Sequence, residues 1–310
     1  MPPKLLTSPV RWVQDFFSRR IFFLPPAVAL SSATLPCCVT GAVTARRTKG
    51  ATKPRFFLSL TIIFFALPSL ASDIDLRYRL QWGNFAMGDV FASWQLRPTG
   101  YQMQGGAISA GTVGWLMRYQ GEVRLEGQLA GDRVLPDSLF LSSDSRRGAR
   151  QARTLWPGAS RQPVTSRLPE LNLEKVIPLD ETALAGINDP FSTMLGVLRQ
   201  MQQGASCSGQ FEIYDGWRHA RLTLYDLGET ELVADRPWSY SGAARICGIA
   251  SQPLGGQSRK SSWSEEDLDP QRIRFFVADL EAGLPLPVRI ELRGFLGRVT
   301  VRLDMERSRL

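Results

Sequence analysis

Histidine is almost missing from this chain: its 310 residues contain one, His219. Cysteine is scarce as well, four in all, and beyond residue 71 only Cys207 and Cys247 remain, far apart and without CxxC spacing. That inventory excludes the zinc sites built from clustered cysteine and histidine. No Gly-x-Ser-x-Gly elbow accompanies His219, and Gly105-Gly106 and Gly255-Gly256 stand in no phosphate-loop context. No catalytic residue, metal or cofactor is therefore assigned. The rival reading is a hydrolase in which His219 works with a nearby acid such as Asp215, or a serine.

Net charge is also missing where it would matter. The formal charge is +8, but residues 1–71 hold nine of the 37 basic residues and one of the 29 acidic ones, which leaves 28 of each in residues 72–310. A neutral body offers no footprint to nucleic acid, so that partner is excluded. The apolar run Phe56 to Leu67 falls well short of the roughly 20 residues that span a bilayer, and no transmembrane segment is expected after it.

That run follows Lys53 and Arg55 and precedes Pro68-Ser69-Leu70-Ala71. Basic start, apolar centre and small residues Ser69 and Ala71 make residues 53–71 a secretory signal peptide, cut between Ala71 and Ser72. The expected location is the periplasm or another part of the envelope. Residues 1–52 read as an extension, disordered or upstream of the true translation start. They hold Cys37 and Cys38 and a second, twin-arginine-like stretch from Ser18.

Residues 72–310 show no internal boundary or repeat and are expected to fold as one β-rich domain. Ile74, Leu76, Tyr78, Leu80 and Trp82 alternate with polar residues, and Val90, Ala92, Trp94 and Leu96 repeat the pattern after a Gly83-Asn84 turn. Such period-two alternation predicts half-buried strands, and links this short make them antiparallel. Val123, Leu125, Gly127 and Leu129 continue the series toward a strand near Leu139 to Ser143. Between Ser142 and Ile187 the pattern fades. One strand around Ala149 to Trp156 is expected there, with a solvated basic run (Arg146, Arg147, Arg150, Arg153) and otherwise a long connection. Later strands are expected around Phe211, Leu222, Tyr240, Phe275, Ile290 and Val301, with turns at Asp215-Gly216 and Asp226-Leu227-Gly228. Gln257 to Asp269 reads as a polar loop.

One helix interrupts the strands. Asp189 is placed to cap it, Pro190 suits its first position, and Gly204 stands where a left-handed cap is needed. Phe191, Met194, Leu195, Leu198 and Met201 recur at helical spacing, so one face is buried, and the helix is expected to plug the concave side of a curved sheet. In an oxidising compartment Cys207 and Cys247 are expected to be bonded.

The motifs Asn188-Asp189-Pro190-Phe191-Ser192, Cys207, Tyr214-Asp215-Gly216-Trp217-Arg218, Tyr240-Ser241-Gly242 through Cys247, and Leu286-Pro287-Val288 before Gly297 resemble a bacterial exported family, domain of unknown function 3108. Asp189, Pro190, Asp215, Gly216, Tyr240 and Gly242 carry the resemblance. Trp217 departs from it, standing where that family often has basic residues. The resemblance implies an envelope protein with no established activity. At the level of fold the pattern is similar to the half-barrel of the lipoprotein carriers LolA and LolB. Seven tryptophans in residues 72–310, several of them on apolar strand faces, suggest a groove for a lipid, a lipoprotein or another apolar partner.

Overall fold

The computed structural model describes residues 72–310 apart from 112–113, 115–117, 147, 261–264, 281–282 and 295–296. The signal peptide, the extension with Cys37 and Cys38, and the cut after Ala71 lie outside the described residues, as do Trp115 and Trp263. Ser72 opens the first strand.

Thirteen strands form one antiparallel sheet: β1 Ser72–Trp82, β2 Phe85–Leu96, β3 Gly100–Ser109, β4 Tyr119–Ala130, β5 Arg133–Ser145, β6 Gly148–Leu155, β7 Val164–Leu168, β8 Gly209–Tyr214, β9 His219–Leu232, β10 Gly242–Gly255, β11 Ile273–Asp279, β12 Pro285–Gly294 and β13 Gly297–Leu303. Sequence neighbours are sheet neighbours except for β7 and β8, which do not pair, and the order is joined by β1 to β13 with Leu80 opposite Val301, so the two ends of the described chain pair. The sheet's edges are therefore β7 and β8, either side of the long connection that carries helix α1, Pro190–Gln202.

α1 packs against β5, β8 and β12, strands far apart in the sheet order. One helix can touch all three only if the sheet curls around it, so α1 lies on the concave side, as its apolar stripe predicts. The period-two pattern supplies the surface it meets: Ile74, Leu76 and Leu80 of β1, and Val299, Val301 and Leu303 of β13, are all buried. Fully burying a Val, Leu or Ile side chain contributes about 1.5–3 kcal/mol.

Three expectations need correction. The connection after Trp156 contains a strand, β7, which pairs Thr165 with Thr154. Its Val-Thr-Ser-Arg-Leu sequence has no apolar face because its inward residues, Thr165 and Arg167, make polar contacts at the sheet's edge. The strand near Leu139 starts earlier, at Arg133, because Pro136 sits opposite Gly127 at a register shift where the lost amide breaks no ladder. Asp226-Leu227-Gly228 is not a turn between strands but a bulge inside β9: register shifts between Arg245 and Cys247 of β10, and the Gly228 amide donates to Asp226 Oδ1 at 3.0 Å. Gly228, at φ +90°, supplies the left-handed residue such a bulge uses.

Candidate functional site

The helix is fixed most firmly at its start. Asp189 Oδ1 accepts from the amides of Phe191 and Ser192 at 2.8 and 2.9 Å, and Pro190 occupies the first turn where no donor is needed. Asp189 Oδ2 accepts from the Ser192 hydroxyl, whose oxygen also lies 2.7 Å from the Tyr101 hydroxyl of β3. Just before it, Asn188 Nδ2 donates to Val134 O at 2.8 Å and Trp156 Nε1 donates to Ile187 O at 2.8 Å. Asp189 is fully buried. Burial pushes its carboxyl up to about 6, against the lowering effect of its hydrogen bonds. At the other end the contacts are peripheral: Arg199 Nη2 donates to Gly131 O, and Gln203 reaches Asp132.

Between α1 and the sheet lies an apolar slot of about 80 Å³. Phe191, Met194 and Leu198 of α1 line it together with Leu76 of β1, Trp94 of β2 and Ile290 of β12. Its polar side-chain groups are two. The Tyr78 hydroxyl already donates to Pro287 O at 3.0 Å, and Trp94 brings an indole N–H. The concave face is thus nearly filled by the helix, and what stays open is well below the roughly 300 Å³ at which ligand pockets usually begin. The sequence located the helical half of this lining. It gave no sign of which strands would face the helix, because alternation marks a buried face without naming its partner.

At the opposite edge, the Asp215-Gly216 turn closes the gap between β7 and β8 without a backbone ladder. Asp215 Oδ1 accepts from the amides of Trp217 and Arg218, and Oδ2 takes Arg218 Nε and Nη2 at 2.9 and 2.7 Å. Gly216, at φ +86°, packs where a Cβ would lie 3.0 Å from Thr154 Oγ1. Across the gap Arg167 Nε donates to Gly216 O at 2.5 Å and its Nη2 to the Tyr214 hydroxyl, which itself donates to Thr165 at 3.1 Å. Trp217 is buried and carries the Arg150 guanidinium 4.2 Å above its ring. Arg150 stays exposed, as expected of the basic run, and the residue that departs from the family pattern serves as its platform. Arg167 and Thr165 went unrecognised because a lone arginine in a polar stretch carries no periodic signal.

This geometry overturns the pairing of His219 with Asp215, whose two oxygens are spent on its own turn. His219 is buried and faces Glu212 instead, Nε2 to Oε2 at 2.8 Å. Glu212 also accepts from Arg221 at 2.7 Å, and that bond, with His219 beside it, holds its carboxyl below the usual range. A residue pair two apart across a hairpin explains the contact as a cross-strand bridge.

Tyr240 and Gly242 shape the segment that leads into β10. The Tyr240 hydroxyl donates to Ala243 O at 3.0 Å, folding its ring against Gly242, where a Cβ would lie 2.7 Å from the Tyr240 hydroxyl oxygen. The segment before it is held against the outer face of the sheet: Asp235 accepts from Arg302, Oδ1 from Nε at 2.9 Å, and Arg79 lies over Trp238 at 4.2 Å. Trp238, like Trp217, thus serves an arginine and not a groove. Cys207 and Cys247 are bonded, with Cα atoms 5.9 Å apart and both residues buried. The bridge ties the chain leaving α1 to the middle of β10.

Among the described residues no group of three or more His, Cys, Asp or Glu is placed to hold a metal ion, and no helix is long and apolar enough to cross a membrane. No protein-family model and no curated protein matches the chain, so the resemblance to domain of unknown function 3108 rests on the motifs alone. Among solved structures the chain is similar to the crystal structure of a beta-barrel-like protein of domain of unknown function DUF1849 from Brucella abortus. Identity is 9% and TM-score 0.42, over 75% of this chain and 95% of that one. A likeness of that size supports no inference about this chain's activity.

Proposed function

We propose that this chain is an exported, non-catalytic envelope protein of a single domain, residues 72–310, that holds an apolar partner in the slot between α1 and the sheet. The slot carries the reading: it is lined by apolar side chains and lies against the chain's principal helix. The signal-like residues 53–71 and the bonded cysteines support export, since such a bond persists in oxidising compartments. Against a hydrolase stands the buried His219, engaged with Glu212 and Arg221 in a bridge that includes no serine or cysteine.

Intact mass measurement of protein recovered gently from the native envelope tests location and ligand together. The expected mass is that of a chain beginning at Ser72, less two hydrogens for the disulfide, with a co-purifying apolar molecule released on denaturation. A chain beginning at Met1 and found in the cytoplasm would contradict the export reading. Correctly processed protein that never carries an apolar molecule would contradict the binding one.

A further inference from the structure

We propose that the open edge of β7 is a self-association surface, on which a second copy of this chain pairs its own β7 antiparallel about a two-fold axis through Ser166. Two strands end the sheet, and their edges are not alike. At β8 the Tyr214 amide donates to Asn188 O at 2.9 Å, so the chain entering α1 already lies against that edge. At β7, Val164–Leu168, the backbone is bonded only through its ladder with β6, and among the described residues no other group meets its amides or carbonyls. The Asp215-Gly216 turn does not cover this edge. A Cβ on Gly216 would approach Thr154, Ala152 and Thr165, and Ala152 stands opposite the buried Leu141, so the turn lies under β7 on the core-facing side. An uncovered edge offers a row of donors and acceptors to another strand.

The residues of β7 are self-complementary in that register. The pleat sets directly opposed residues on one face, so a two-fold axis perpendicular to the sheet must pass through a residue. An axis through Ser166 uses all five: Val164 meets Leu168 of the second copy at both ends, Ser166 meets Ser166, and Thr165 meets Arg167. Moved to Arg167, the axis would set two guanidinium groups opposite each other, which is destabilising. Val164 and Leu168 are 59% and 62% exposed on the outer face, and Leu155 of β6, opposite Val164, is 40% exposed beside them. Pairing covers this apolar strip in both copies. Arg153 stands opposite Ser166, but the Arg153 side chains of the two copies are three strand spacings apart, about 14 Å, beyond the roughly 8 Å over which exposed charges act at physiological salt. Pro163 and Pro169 bracket the strand and, having no amide, confine the pairing to these five residues. Five residues a side, against about 20–30 in a standard interface, make a weak dimer.

Sedimentation equilibrium of the disulfide-bonded chain tests the proposal, and a reversible monomer–dimer equilibrium with a dissociation constant on the order of 100 μM is expected. Replacing Val164 and Leu168 together by lysine puts like charges opposite each other at both ends and should weaken the dimer at least about tenfold. V164K combined with L168E puts opposite charges there instead and should restore it to within about threefold of wild type. Both positions are exposed and outside the core, so the fold should tolerate either pair. A further variant does not depend on charge: Ser166→Cys should cross-link two copies under mild oxidation, whereas Leu155→Cys, one strand back from the edge, should not. The proposal is overturned if the chain stays monomeric up to about 1 mM, which would leave the edge to a strand from a different protein. It is equally overturned if dimerisation is indifferent to the double lysine change, or if V164K with L168E fails to restore what the two lysines remove.

Discussion

Replacing both Cys207 and Cys247 by alanine should lower the stability of the protein by about 4 kcal/mol, a fall in Tm of roughly 8–16 °C for a chain of this size. The two residues are 40 apart in sequence. Cross-linking them removes from the unfolded ensemble the freedom of the β8 to β10 segment, which in the chain-entropy model is worth that amount. The native state gains as well: the bridge holds the exit of α1 against β10, and Cys207 is fully buried. Urea unfolding of wild type and double variant, with and without a reductant, measures the difference. Reductant should bring wild type down to the variant and leave the variant unmoved. Equal midpoints for the oxidised wild type and the double variant would show that the bridge constrains nothing the fold does not already constrain.

Asp189→Asn should remove a pH dependence that runs opposite to the usual behaviour of a carboxylate. Burial raises the Asp189 carboxyl from 3.8 to about 6 in the folded chain. A raised acid binds its proton more tightly when folded, so its contribution is complete below the unfolded value of 3.8 and is lost as pH rises through about 6. Two units correspond to about 3 kcal/mol. Wild type should therefore lose about that much between pH 4 and pH 7 relative to the Asn variant. Asparagine keeps an oxygen for the amides of Phe191 and Ser192 and caps helices as well as aspartate does. Chemical unfolding of both proteins at pH 4, 5.5 and 7 gives the comparison, and parallel curves would contradict the assignment of a buried, unpaired charge to this position.

The helix and most strands were legible because their signals are local. Asp189, Pro190 and Gly204 mark the ends of α1 by backbone requirements, and the alternation of Ile74 to Trp82 or Val299 to Leu303 marks a buried face whatever lies on the other side. The disulfide followed from having two cysteines left after the expected cut. What failed was decided at a distance. The strand β7 has no apolar face to announce it, since Thr165 and Arg167 are committed to Thr154, Tyr214 and Gly216 across the edge of the sheet. Asp226-Leu227-Gly228 carries the residues of a turn, yet the ladder with β10 runs through it and reduces it to a bulge. His219 and Asp215 are close in sequence, but the hairpin register sends the histidine to Glu212. The slot was half legible: Phe191, Met194 and Leu198 could be placed on one helix face, whereas the β1, β2 and β12 residues that meet them depend on how far the sheet curls.

The central claim is that an apolar partner occupies the slot between α1 and the sheet, and the methionine methyl groups report on it directly. Met103 and Met194 border the slot, while Met87 and Met305 do not. In a methyl-labelled sample titrated with decanoate, the Met103 and Met194 resonances should shift saturably, with a common midpoint, while Met87 and Met305 hold still. Saturating decanoate that leaves Met103 and Met194 unmoved, or that shifts Met305 as much as either, would contradict the claim.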